Sequence, residues 1–232
     1  MTGKVRGATM VVKSRYPFLQ PLPRPPGVSA ALRRRVVAQF GRPSGWAGRL
    51  AGILMAHRPS NIARNRFTVE LLGVQPGDRV LEIGFGPGIS LQHLHALAPE
   101  GLVTGIDHSV EMLRQAARRN SEAIASGRMI LQLGSVTHLP APQLLYDRIM
   151  AVNNVMFWEQ PTVQLRRLIE QLRPGGTIAL TSQPRGRGVT QAETRKSGER
   201  LAALLKQSGF HGIQTRFLPL DPVDAVCVTG TR

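Results

Sequence analysis

From residue 79 onward the chain alternates between short apolar runs and longer amphipathic segments. The apolar runs at 79–83, 102–106, 129–133, 147–152, 176–182, 212–217 and 223–229 have the length and branched content of buried strands. Between them, 88–97, 109–126, 161–172 and 190–207 carry apolar residues at helical spacing. Strand and helix in regular alternation predict an α/β domain, with a parallel sheet covered by helices on both faces. The last two strands are joined only by Leu218-Pro-Leu-Asp-Pro222. A parallel crossover needs a dozen or more residues, so this pair is antiparallel.

The pattern before residue 75 is different. Residues 1–27 end in Tyr16-Pro-Phe-Leu-Gln-Pro-Leu-Pro-Arg-Pro-Pro-Gly27, and five prolines in ten residues predict an extended or disordered tail. Residues 28–74 read as a helical cap segment. Leu32, Val36, Val37 and Phe40 fall on one face of a helix over 29–40, and Ser60 or Asn61 caps a helix running to Leu72. Glycines at 45, 48 and 52 suit the stretch between them to a movable cover. The segment Gly73-Val-Gln-Pro-Gly-Asp78 turns into the first strand, and residues 75–232 form the main domain.

Charge sharpens this division. Of 30 Lys and Arg, 13 precede Glu70, where there is no acid; the remaining 17 meet all 14 acids. The body is therefore nearly neutral, 17 bases against 14 acids leaving +3, and the other 13 of the net +16 charges belong to the N-terminal extension. Such an extension suits nucleic acid or an anionic membrane surface, or is a solvated basic tail. The hydrophobic fraction of 42% supports a sizeable core, and no apolar run reaches the length of a membrane span. A cytoplasmic location is the expectation. The single Cys227 sits in an apolar strand and excludes an internal disulfide. His93 and His95, two apart on a helix, point away from each other, and no metal site is expected.

The chemistry concentrates in Val80-Leu-Glu-Ile-Gly-Phe-Gly-Pro-Gly-Ile-Ser90 and the later Gly105-Ile-Asp107. A strand ends in an acid and three glycines, a helix follows, and the next strand ends in a second carboxylate. Glycines let the backbone approach a ligand closely, the helix start offers unpaired N–H groups, and the second acid can take two ribose hydroxyls. The dinucleotide pattern requires glycine at the sixth position, where this chain has Ile89. The Glu-x-Gly-x-Gly-x-Gly loop with an acid on the following strand resembles the class I S-adenosylmethionine-dependent methyltransferases, over residues 76–230. The resemblance implies a Rossmann-like seven-stranded sheet, mostly parallel with an antiparallel C-terminal hairpin, here with an N-terminal helical extension.

That resemblance also implies a set of roles. Glu82, Gly84, Phe85, Gly86, Pro87 and Gly88 lie against the methionyl part of S-adenosylmethionine, and Asp107 holds the ribose, with His108 and Met112 beside it. Gly134, Ser135 and Val136 follow the third strand and face the adenine. Many members have an acid at the position of Ser135, so the Val136 amide is the alternative contact. Asp147-Arg-Ile-Met-Ala-Val-Asn-Asn-Val-Met-Phe-Trp158 resembles the fourth-strand motif and puts Asn153 and Asn154 at the transferring methyl. It lacks the Asn-Pro-Pro-Tyr pattern of enzymes that methylate planar amino groups. Leu172-Arg-Pro-Gly-Gly176 resembles the structural turn before the fifth strand.

Phe157 and Trp158 supply an apolar wall or simply pack in the core. Trp46, Met55, His57, Asn61 and Asn65 would cover the cofactor and shape the acceptor pocket. Met55-Ala-His-Arg58 with Arg64-Asn-Arg66 resembles bacterial ubiquinone/menaquinone-biosynthesis-like methyltransferases of unassigned substrate. His57 and His138 are the nameable proton acceptors, and neither is assigned as a base. The implied activity is methyl transfer to a small apolar or aromatic acceptor. RNA or phospholipid acceptors, and a non-catalytic cofactor-binding module, stay open.

Overall fold

The computed structural model describes residues 59–139, 145–185 and 188–232. The tail 1–27, the helix expected at 29–40, and Trp46, Met55 and His57 lie outside the described residues. In chain order the elements are α1 (Pro59–Leu72), β1 (Arg79–Ile83), α2 (Ile89–Leu97), β2 (Leu102–Asp107), α3 (Val110–Arg119), α4 (Ser121–Ala125) and β3 (Met129–Leu133). They continue with β4 (Tyr146–Val152), α5 (Pro161–Gln171), β5 (Leu172–Ser182), α6 (Gln191–Gln207), β6 (His211–Leu218) and β7 (Ala225–Thr231). Short 3-10 turns follow β3 at Val136–His138 and β4 at Val155–Phe157.

The seven strands form one sheet in the order β3-β2-β1-β4-β5-β7-β6. β1 to β5 pair in parallel, while β7 pairs antiparallel with both β5 and β6. The short 218–222 link therefore closes the hairpin that its length demanded. Alternation along each strand divides the core between two faces. Leu81, Ile83, Ile149, Ile178, Leu180, Val226 and Val228 pack beneath α5 and α6. Val80, Val103, Met150, Ala179 and Cys227 pack beneath α1 to α4. Both faces are covered, so the strands read as continuous apolar runs. The strand order reverses between β1 and β4, and that switch point leaves a crevice at the carboxyl ends of the strands.

Ser60 and Asn61, expected to cap α1, lie within it, since the helix already includes Pro59. Three other boundaries differ from expectation, each for a local reason. The helix expected over 109–126 breaks at Asn120, whose side-chain amide donates to Ala116 O at 2.9 Å and across to Gly88 O at 3.1 Å. A side-chain amide competing for backbone partners ends a helix in this way. β5 begins at Leu172, not 176, because Leu172 pairs with Tyr146 before a bulge resets the register to Arg148↔Thr177. β7 begins at Ala225, since Asp224 bonds through its own amide and carboxylate to Gln191 at the start of α6.

Gly105, in mid-β2, lies under the first turn of the site. A Cβ there would stand 2.7 Å from Phe85 Cδ1 and 3.1 Å from Leu131 Cδ2. Gly105→Ala is expected to destabilise the protein by about 1–3 kcal/mol through overpacking, measured by urea unfolding. A change below about 0.5 kcal/mol would show that Phe85 is less tightly held than its burial implies.

Candidate active site

β1 delivers the chain to the crevice and the loop 84–88 reverses it into α2. Gly84 has φ +72°, and a Cβ on it would collide with the Asn154 side-chain amide, which donates to Ile83 O. The end of β4 thus clasps the start of the loop, and only glycine fits between. Gly88, at φ +79°, immediately precedes α2, and its Cβ would meet Ala116 Cβ at 2.7 Å. No side chain caps α2. The phenyl ring of Phe85 is buried in the core, so only its backbone reaches the crevice, and Pro87 is half-buried.

Asp107 ends β2 and is 5% exposed. Its Oδ2 accepts from Gly86 N at 2.8 Å and its Oδ1 from Ser109 N at 2.9 Å, while its carbonyl accepts from Gly134 N at 2.8 Å. One residue thereby joins the ends of β1, β2 and β3. Burial raises its carboxyl pKa above the usual range, opposed by the backbone donors of Ser109 and Gly86. His108 points outward, its side chain 80% exposed with Nδ1 3.8 Å from Asp107 Oδ1. Met112 flanks the core, and its amide donates to the Ser109 hydroxyl that caps α3. Ser135 Oγ lies 2.6 Å from Thr137 Oγ1, and Val136 is buried. Of His138, only the backbone is described.

Glu82 lies on the α2 face of β1, 2% exposed. Ser90 Oγ donates to its Oε1 at 2.5 Å, while Oε2 is buried without a hydrogen-bond partner. Burial pushes its carboxyl up to about 7 against the pull of Ser90, with the charge of Asp107 adding to the rise.

At the end of β4, Asn153 adopts φ +54°; its amide donates to Thr181 O at 2.8 Å and its Oδ1 accepts from Gln183 N at 2.7 Å. Asn154 Oδ1 is buried without a partner. Met156 and Phe157 are about half exposed, at 48% and 47%, and Trp158 packs partly against the core. Across the rim, α1 turns Asn61, Arg64 and Thr68 inward on one stripe. Thr68 pairs with Thr181 Oγ1 at 2.7 Å, and Arg64 Nη1 donates to Gln183 Oε1 at 2.6 Å. Asn61 accepts from Arg64 Nη2, and Asn65 is half-buried beside it. The structure thus groups Glu82, the glycine loop, Asp107 and Asn154 tightly, with Gly134–Val136 at one edge. At the other edge Asn61 is linked to Asn153 through Arg64 and Gln183, while Asn65 is placed only as a half-buried residue of α1.

Sequence reading missed Ser90, Asn120, Arg64 and Gln183. The one available signal was the polar 61/64/68 spacing in a helix that also buries Val69 and Leu72.

Because the folded state raises the Glu82 pKa, it holds a proton that the unfolded chain releases, so stability falls as pH rises from about 4.5 to 7. Glu82→Gln keeps the Ser90 bond and removes that penalty. The variant is expected to gain on the order of 2 kcal/mol over the parent between pH 5 and pH 8. Urea titrations across that range measure it; a pH-independent difference would contradict the raised pKa.

Residues 80–176 match a family model described as "Methyltransferase domain". An uncharacterized methyltransferase, YdaC, of Bacillus subtilis (strain 168) is 34% identical over 79% of this chain and 98% of its own length. The 27-O-demethylrifamycin SV methyltransferase of Amycolatopsis mediterranei (strain S699) is 28% identical over 70% of this chain and 62% of its own. The N-methyltransferase NodS from Bradyrhizobium japonicum WM9, solved with S-adenosyl-L-homocysteine, shares the fold at TM-score 0.64 and 16% identity, covering 87% of this chain and 98% of that one. With its glycine loop, strand-end acid and closing antiparallel strand, the chain belongs to the class I S-adenosylmethionine-dependent methyltransferases.

Proposed function

We propose that this enzyme transfers the methyl group of S-adenosylmethionine to a small molecule with an apolar or aromatic body. The observation that carries the donor site is the Gly86–Asp107 bond, which fixes loop and acid as one unit. The Asp107 carboxylate takes backbone N–H groups from Gly86, Ser109 and His108, and with roughly four acceptor positions on its two oxygens it keeps capacity for a ribose hydroxyl. Two buried orphan oxygens, Glu82 Oε2 and Asn154 Oδ1, flank the loop and suit the donor's ammonium and its water. The amides of Gly84, Gly86 and Gly88 are engaged within the protein, so the uncapped start of α2 beyond them is what suits its carboxylate. Met112, Gly134, Ser135 and the Val136 amide are the candidates at the adenine, with His108 at the mouth.

Bound S-adenosylmethionine supplies an electrophilic methyl on a good leaving group. The chain's own part is alignment and exclusion of water, which can lower a barrier by about 7–11 kcal/mol in favourable cases. No base is assigned. Support for a small acceptor comes from the half-exposed Met156 and Phe157 beyond β4 and from the relative named for a rifamycin. Asn61 and Asn65 belong to the segment 28–74 that we assign as the cover. Residues from Glu70 on, nearly balanced in charge, offer little to a polyanion. No helix among the described residues is long and apolar enough to cross a membrane.

Asp107→Ala is expected to weaken S-adenosylhomocysteine binding about tenfold or more, by calorimetry; unchanged affinity would remove Asp107 from the donor site. Metabolite extracts incubated with isotope-labelled donor are expected to yield a labelled small molecule only in the presence of the protein. Label appearing in RNA or lipid alone would overturn the acceptor class.

A further inference from the structure

Arg64 is an unusual residue to find on the inner face of a helix. It is 4% exposed, and its partners are the neutral side chains of Gln183 and Asn61. All 14 acids of the chain are among the described residues, and none pairs with it. Its Nε is buried with no acceptor. A buried guanidinium lacking a carboxylate is costly, and such cost is ordinarily met by a counter-charge.

The surroundings hold this arrangement in place. Gln183 is 2% exposed, and its side-chain amide donates to Val223 O at 2.9 Å and Asp221 O at 3.3 Å. Its oxygen is therefore turned toward Arg64 at 2.6 Å and Arg185 at 3.4 Å, so two cations converge on one uncharged acceptor. Burial, then the charge of Arg185, pulls the Arg64 pKa down to about 10, which still leaves it charged at neutral pH.

Position separates this cation from the donor site. Asp107 ends β2 and the glycine loop follows β1, whereas Gln183 follows β5, two strands farther along the sheet. At ordinary strand spacing that is about 10 Å beyond β1, on the side away from Asp107. Asn153 at the end of β4 bonds to Gln183 and lies between the two.

We propose that Arg64, oriented by Gln183 and Asn61, is a specificity residue that binds a carboxylate on the methyl acceptor. The acceptor is thus an organic acid whose apolar body lies toward Met156 and Phe157. This rests on the donor site proposed above.

The test uses full-length protein saturated with S-adenosylhomocysteine, so that failure of donor binding is seen first and separately. Benzoate and its neutral counterpart benzamide are then titrated by calorimetry or ligand-observed NMR. Benzoate is expected to bind about tenfold or more tightly than benzamide. Arg64→Gln is expected to abolish that preference while leaving S-adenosylhomocysteine affinity within about twofold. Gln183→Glu, which installs a carboxylate against Arg64, is expected to raise the melting temperature and also to abolish benzoate binding; it serves if Arg64→Gln does not fold. Equal binding of benzoate and benzamide to the parent protein overturns the proposal, as does benzoate binding that survives either substitution. So does an Arg64→Gln variant that loses S-adenosylhomocysteine but keeps 5′-methylthioadenosine, because the guanidinium would then serve the donor's own carboxylate.

Discussion

The bond from Gly86 N–H to the Asp107 carboxylate is the constraint on which the site depends. Asp107 is the last residue of β2, and the loop follows β1, its parallel neighbour. Parallel pairing brings the two strand ends to one rim but does not fix the loop beyond them. The carboxylate does, and its own backbone carbonyl extends the tie to Gly134 after β3. A buried acid satisfied by backbone amides is rigid, because the donors belong to strands and turns that cannot rotate away. The loop is pinned from the opposite side by Asn154, which fills the space that a Gly84 side chain would need. The crevice is therefore shaped before any ligand arrives, which lowers the ordering cost of binding.

Much of this was legible in the chain. The strands could be read because both sheet faces are covered, leaving uninterrupted apolar runs such as Val80–Leu81 and Met150–Ala151. The antiparallel finish followed from the length of one link. The glycine loop and Asp107 stand out because glycines and acids at strand ends have few other uses, and the structure brings them together. What was hidden involves residues whose role depends on distant partners. Asn120 looks like any polar helix position until Gly88 O, 32 residues away in sequence, is brought beside it. Ser90 reads as an ordinary first-turn residue until Glu82 is seen to face it. Arg64 is concealed by the general rule that arginine on a helix lies outside.

The inner stripe of α1 shows how one helix serves two purposes. Leu72 and Val69, toward its C-terminal end, complete the core; Thr68 bonds to β5; and Arg64 and Asn61 reach the rim. Polarity rises along the helix from the closed side of the sheet to the open side. A fully apolar stripe would pack more favourably there.

The small turn where α3 ends has an electrostatic outcome. Asn120 occupies the Gly88 carbonyl, Asn154 occupies that of Ile83, and the Gly88 amide occupies that of Phe85. With these oxygens engaged and no side chain capping α2, the amides of its first turn are left to set the sign of the lip. Neutral amides thus give this lip a positive potential that no proton can switch off, next to a glutamic acid whose charge is set by the surrounding pH.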